Sequence, residues 1–322
     1  MSKRKTTRST PVGAASDKTA ARRAIMVLGM HRSGTSAITR VLNLLGVELG
    51  SRLMPPAPDN PTGFWEHLDA VEIHDRLLGN LGRSWDDFRP LPADWLHSAA
   101  AQAAEQQILQ LIQSEFSDAP LWAVKDPRLC LFVPLWERVL RSLGIEPCAL
   151  IVLREPAQIA RSLHERNAIP AALGEALWCR YTAEAIRGSA HSRHTELRYP
   201  RLLQDWRTEM RRLESTFALN MDWSEPAMQR IDAFLHPART GSDGVLDLSH
   251  FQSDRVSLVL SAPEVDLERL ADAADAALAH IVREPLAYAE AEFLQVERTR
   301  FGEAEDRARR RIDEATGWAR RL

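Results

Sequence analysis

The sequence predicts an α/β fold, a parallel sheet covered by helices, with a helical extension toward the C-terminus. Three observations carry that prediction. Short uninterrupted apolar runs recur at 24–28 (AIMVL), 121–125 (LWAVK) and 149–153 (ALIVL), the pattern of strands buried on both faces. Each run is followed by a polar turn and then a helical pattern, and repetition of strand, turn and helix builds a parallel sheet. After about residue 250 the composition shifts, and from Pro285 a charged helical pattern carries Leu294, Phe301, Ala308, Ala315 and Leu322 at intervals of seven.

A chain of 322 residues can bury one large core, or one core with a small accessory segment. Residues 1–23 hold seven basic side chains against the single acid Asp17 and lack periodicity, so a disordered basic tail is expected there. No apolar stretch follows those basic residues, so no signal peptide is expected, and no apolar run is long enough to cross a bilayer. The overall charge of −3 places the negative balance on the rest of the chain. Such a field does not draw in nucleic acid, and an anionic ligand would need a few placed cations. Cys130, Cys148 and Cys179 are scattered and form no CxxC, which points to a reduced, cytoplasmic setting and small buried side chains. Behind the first strand, Ala37, Ile38, Val41, Leu42 and Leu45 repeat at helical spacing up to Gly46, a candidate C-terminal cap. PPAPDNPTG at 55–63 is too proline-rich to be regular and reads as a surface loop. Residues 98–116 read as a helix through Ile108, Leu111, Ile112 and Phe116. The expected division is thus a tail over 1–23, a catalytic-type domain over 24–250 and a helical extension over 251–322. That extension is read as a helix docked on the domain or a contact through which the chain oligomerises.

The turn after the first strand, Gly29-Met30-His31-Arg32-Ser33-Gly34-Thr35-Ser36, has the Gly-x4-Gly frame of a P-loop between strand and helix. Backbone N–H groups of such a turn and the helix N-terminus together hold a phosphate. The NTPase pattern requires Lys after the second glycine, and Thr35 stands there instead, with the cation moved into the loop as Arg32. Without that lysine, Mg²⁺-dependent ATP chemistry loses its principal charge on the transferring group. An ordinary strand-to-helix turn is the plain alternative. After the third apolar run comes Arg154-Glu155-Pro156, with Ser162 eight residues beyond Arg154. Pro156 suits the first turn of a helix, and eight helical residues span about 12 Å, so Arg154 and Ser162 can converge on one phosphate. Its plain alternative is a helix start with a surface arginine.

These motifs resemble those of sulfotransferases that use 3′-phosphoadenosine-5′-phosphosulfate (PAPS), and the resemblance covers roughly residues 24–220. It implies a P-loop NTPase-like fold, with PAPS as co-substrate, 3′,5′-bisphosphoadenosine as product and no metal. Residue by residue, the 5′-phosphosulfate would lie on Arg32, Ser33, Gly34, Thr35 and Ser36, and the 3′-phosphate on Arg154 and Ser162. Arg198-Tyr199-Pro200 resembles the segment whose tyrosine approaches the adenine, so only Tyr199 carries over, against the alternative of a tyrosine buried under a helix start. The late glycine-rich loop of the family is not visible, which leaves further 3′-phosphate ligands to Arg161 or Arg255.

Sulfuryl transfer is an in-line displacement that needs a base for the acceptor proton. Glu66 and His67 both qualify, and Glu66 is favoured because adjacent residues face different ways; its alternative is a helix cap. Lys125, at the end of the second strand, is placed as a second cation where the carboxyl edge of a parallel sheet binds ligands. The stretch 83–96, with Trp85, Phe88 and Trp95, is suited either to stacking on sugar rings or to plugging the loop onto the core. The expected reaction is therefore sulfation of a carbohydrate or glycolipid hydroxyl. The alternatives are a small-molecule or nucleotide kinase, disfavoured by the missing lysine, and a catalytically silent glycan- or nucleotide-binding protein.

Overall fold

A computed structural model describes residues 22–57, 60–236, 254–262 and 264–283. Four parallel strands, β1 (Arg23–Leu28), β2 (Leu121–Lys125), β3 (Glu146–Leu153) and β4 (Arg193–Arg198), lie in the order β2-β1-β3-β4. The three apolar runs are β1, β2 and the second half of β3. Alternate residues of β1 enter opposite cores: Ala24, Met26 and Leu28 on one face, Ile25 and Val27 on the other. That two-sided burial explains why β1 lacks polar alternation.

Between β1 and β2 run α1 (Thr35–Leu44), α2 (Leu68–Asn80) and α3 (Ala99–Glu115). Gly46, just past α1, takes φ 91°, the left-handed conformation of a C-terminal cap. Ser98 opens α3 by accepting the Ala101 amide on its hydroxyl at 3.1 Å. α4 (Leu129–Ser142) follows β2, and α5 (Pro156–Asn167) follows β3 with Pro156 in its first turn. α6 (Ala171–Gly188) leads to β4, then come α7 (Tyr199–Phe217) and α8 (Glu225–Leu235). α1, α7 and α8 cover one face of the sheet; α2 to α6 fill the other.

Of the expected C-terminal extension, α9 (Asp254–Ser261) and α10 (Leu267–Arg283) are described, and Leu270, Ala274 and Leu278 of α10 join the core around α6. The basic tail, apart from Arg22 and Arg23, and the stripe beginning at Leu294 lie outside the described residues. Among the described residues no helix is long and apolar enough to cross a membrane.

Candidate active site

Four of the candidate residues sit at or just past the carboxyl ends of four different strands: Arg32 after β1, Lys125 ending β2, Arg154 after β3 and Tyr199 after β4. The chain leaves β1 for β2 on one side and returns to β3 on the other, which opens a crevice at that edge. A cavity of about 330 Å³ lies there, within the size range of small-molecule sites. Arg32, Gly34, Thr35 and Ser36 line it from the first turn, and Glu66, Lys125, Arg154 and Tyr199 from elsewhere in the chain.

The first turn is built to leave donors unmet. Gly34 is the N-cap of α1 at φ 91° and provides no side-chain cap, so the first amides of α1 lack an intrahelical acceptor. The Ser33 hydroxyl is buried and has no hydrogen-bond partner among the described residues. Gly34 is required twice over: a side chain there would be strained at positive φ, and its Cβ would lie 2.2 Å from Cδ2 of Tyr199. Tyr199 thus packs directly on the turn, and burial raises its phenol above the usual value while Arg154 and Arg32 pull it down.

Arg32 also adopts a left-handed backbone, φ 70°, which costs a non-glycine residue about 1–2 kcal/mol. Contacts from its side chain and its carbonyl hold it. Its Nε donates to Ser162 Oγ at 2.7 Å, and its carbonyl accepts from Nη1 of Arg154 at 3.0 Å. Arg154 also donates from Nε to Gln158 at 2.9 Å and lies 5.7 Å from the Tyr199 ring centroid. Ser162 is therefore bound to Arg32 beside the cavity and does not line it; Ser33 likewise lies behind the lining.

Glu66 and His67 part company. The backbone around Glu66 is pinned by hydrogen bonds from Met54 N to Glu66 O and from Leu68 N to Arg52 O, each 2.8 Å. Trp65 is left-handed at φ 58° and packs against the core beneath the Arg40 guanidinium, while Glu66 turns into the cavity and pairs with Lys125. Lys125 Nζ also donates to Phe64 O at 3.2 Å and Ser36 Oγ at 3.3 Å, which ties the acid to the phosphate turn. Burial pushes the Glu66 carboxyl above the usual carboxylate range, and the Lys125 ammonium pulls against that shift. The N-cap of α2 is His67, not Glu66. The His67 ring does not reach the cavity: it is buried beside Phe116, with Nε2 3.5 Å from the Glu115 carboxylate. As neighbours on an extended backbone the two side chains diverge, and only Glu66 is placed to meet a ligand.

No protein-family model matches this chain, and no curated protein matches it. Solved structures similar to it include two entitled "Sulfotransferase Domain from the Curacin Biosynthetic Pathway" and "Sulfotransferase Domain from the Synechococcus PCC 7002 Olefin Synthase". The first is 17% identical, with 78% of this chain and 96% of that one covered at a TM-score of 0.38. The second is 15% identical, with 78% and 94% covered, also at 0.38. Both neighbours are sulfotransferase domains.

Further groups shape the site. Asn60 donates to Gly63 O at 2.7 Å and Ser36 Oγ at 3.4 Å, fastening the proline-rich loop to the phosphate turn. Behind the cavity Asp126 is fully buried, its carboxylate accepting from Arg128 Nη1 at 2.7 Å and meeting His74 Nδ1 at 2.6 Å. Trp136 Nε1 donates to His74 Nε2 at 2.8 Å; since indole only donates, the imidazole proton sits on Nδ1 and points at Asp126. Burial would raise Asp126, but Arg128 and His74 together hold it well below the usual range. His31 lines the cavity with its ring edge-on to Trp85, centroids 4.7 Å apart. Burial, with Arg128 and Arg166, keeps its pKa far below the ordinary value, so it is neutral. Trp85 and Trp95 pack against the core in which Phe88 is buried, so loop 83–96 is plugged onto the domain.

Proposed function

We propose that the protein is a PAPS-dependent sulfotransferase that moves a sulfuryl group to an acceptor hydroxyl by in-line displacement. The observation that carries this reading is the single cavity that gathers an arginine-bearing phosphate turn, Arg154 with Tyr199, and the Glu66–Lys125 pair. The unmet backbone donors at the start of α1, beside the lining Thr35 and Ser36, fit a phosphosulfate. Bound PAPS supplies the sulfuryl group and a stable phosphate leaving group.

The amides at the start of α1, with Ser36 and Arg32, hold the 5′-phosphosulfate and neutralise the charge that grows on the departing oxygen. Arg154 serves the 3′-phosphate, Tyr199 lies toward the adenine, and Ser162 keeps Arg32 aimed. Glu66 takes the acceptor proton on its carboxylate. Lys125 keeps that carboxylate ionised despite burial and lends charge near the transferring group through its contact with Ser36. The acceptor in this reading is a hydroxyl of the carbohydrate or glycolipid class, the class expected from the sequence.

Turnover tests the reading. Metal-free protein incubated with ³⁵S-labelled PAPS and a panel of glycans and glycolipids is expected to give labelled acceptor and 3′,5′-bisphosphoadenosine. Equal labelling by a Glu66→Gln variant would overturn the assignment of the base.

A further inference from the structure

Ser36 stands in the first turn of α1 and lines the cavity. A serine hydroxyl has one proton to give and two lone pairs to offer. Lys125 Nζ donates to Ser36 Oγ at 3.3 Å, and Asn60 Nδ2 donates to the same oxygen at 3.4 Å. Both lone pairs thus face groups that only donate, and the neighbouring ammonium turns the oxygen end of the hydroxyl dipole toward itself. The proton points away from both, and no acceptor meets it among the described residues.

Lys125 has no donor to spare for a ligand. Each N–H group of its ammonium has an acceptor: Glu66, Phe64 O at 3.2 Å and Ser36 Oγ. The charge of Lys125 therefore reaches a ligand through the Ser36 hydroxyl. Asn60 is fixed so as to hold that hydroxyl from the other side. Gly63 O, which can only accept, takes a hydrogen bond from Asn60 Nδ2 at 2.7 Å, so this end of the amide is the NH₂ group. Thr62 Oγ1 meets the Oδ1 end at 3.1 Å. Backbone bonds close the turn around it, from Asn60 N to Ala57 O at 2.8 Å and from Gly63 N to Asn60 O at 3.1 Å. Closing that turn uses one amide hydrogen and leaves the second free to reach Ser36, 24 positions away. Thr62 and Asn60 both line the cavity.

We infer that Asn60 is a positioning residue for sulfuryl transfer, which holds the Ser36 hydroxyl as a donor to the sulfuryl oxygens. In-line transfer places the sulfur between the departing phosphate and the attacking oxygen. Glu66 stands on the attacking side as the base, and Ser36 is joined to it through Lys125, so the Ser36 proton serves the sulfuryl end of the donor rather than the nucleotide. This rests on the sulfotransferase reading and adds to it a residue of the proline-rich loop, outside both phosphate motifs.

The test is calorimetric titration of the full-length protein, without acceptor or metal, with PAPS and with 3′,5′-bisphosphoadenosine, which lacks the sulfuryl group. Ser36→Ala is expected to weaken PAPS about tenfold, the scale of one hydrogen bond to a charged group, with the bisphosphate held within about twofold. Asn60→Ala lets the hydroxyl turn without removing it, and should cost about threefold on PAPS alone. The double variant should be no weaker than Ser36→Ala, because Asn60 acts through Ser36. Asn60→Asp keeps the size of the side chain but offers Ser36 an acceptor, and should lose at least as much PAPS affinity as Asn60→Ala. Full PAPS affinity in both Asn60 variants, a loss shared equally by the two ligands, or additive losses in the double variant would overturn the inference. Should Asn60→Ala fail to fold, the same criteria applied to Asn60→Asp and its double with Ser36→Ala decide it. Wild-type protein that binds neither ligand would instead sink the sulfotransferase reading, and this inference with it.

Discussion

Glu66→Gln separates what the buried ion pair does for stability from what it does for chemistry. Glu66 and Lys125 are 5% and 3% exposed. With the carboxylate gone, Lys125 Nζ keeps Phe64 O at 3.2 Å and Ser36 Oγ at 3.3 Å but has no counter-charge. Stranding one member of a buried pair typically costs about 3–5 kcal/mol; an amide that still accepts a hydrogen bond should bring the loss to about 3 kcal/mol. Lys125→Met should destabilise as well, by leaving the Glu66 carboxylate unpaired. The double variant removes both charges and should recover most of the loss, so its cost is expected to fall well below either single and far below their sum. Urea unfolding of the four proteins at pH 7 measures this directly. In turnover, Glu66→Gln should fall by a factor of ~10²–10⁴ with the double variant no better, and bisphosphate affinity should hold within a few fold. Additive losses below about 0.5 kcal/mol each would refute the buried-pair argument. Recovery of turnover in the double variant would refute Glu66 as the base.

Arg154→Ala should weaken 3′,5′-bisphosphoadenosine by about 1.5–3 kcal/mol, the scale of a hydrogen bond to a charged group. Because Arg154 also holds the Arg32 carbonyl, adenosine 5′-phosphosulfate should lose some affinity too, but less; equal losses in calorimetry would make Arg154 structural. Burial raises Glu66 and the base works ionised, so turnover should fall as pH drops through a value above the ordinary glutamate pKa of about 4.3. An acid limb at or below that value would contradict the burial. Gly34→Ala drives a Cβ to 2.2 Å from the Tyr199 ring at φ 91°, and nucleotide affinity should fall at least tenfold by titration; unchanged affinity would show that Tyr199 does not set the shape of the turn.

The strands that support the site were plain in the sequence because β1, β2 and β3 are buried on both faces and write themselves as apolar runs. β4 was not: RHTELR is polar, since an edge strand paired only to β3 buries only alternate residues. The glycine frame placed Arg32, Ser36 and the start of α1, and Pro156 placed α5. What stayed hidden depends on packing between distant segments. Ser162 turned out to serve Arg32, 130 positions away, and the His74–Asp126 contact joins residues 52 apart. Spacing within one segment carries no trace of either. The choice between Glu66 and His67 turned on which of two extended neighbours faces the cavity, and adjacency in sequence says only that they diverge.

Metal-free calorimetric titration with 3′,5′-bisphosphoadenosine, run beside ATP with and without Mg²⁺, tests the sulfotransferase assignment most directly. Arg32 within the phosphate turn and Arg154 past β3 predict saturable binding of the bisphosphate without metal, and binding of ATP at least tenfold weaker in either condition. Tighter binding of Mg²⁺-ATP than of the bisphosphate, or no binding of the bisphosphate, would contradict it.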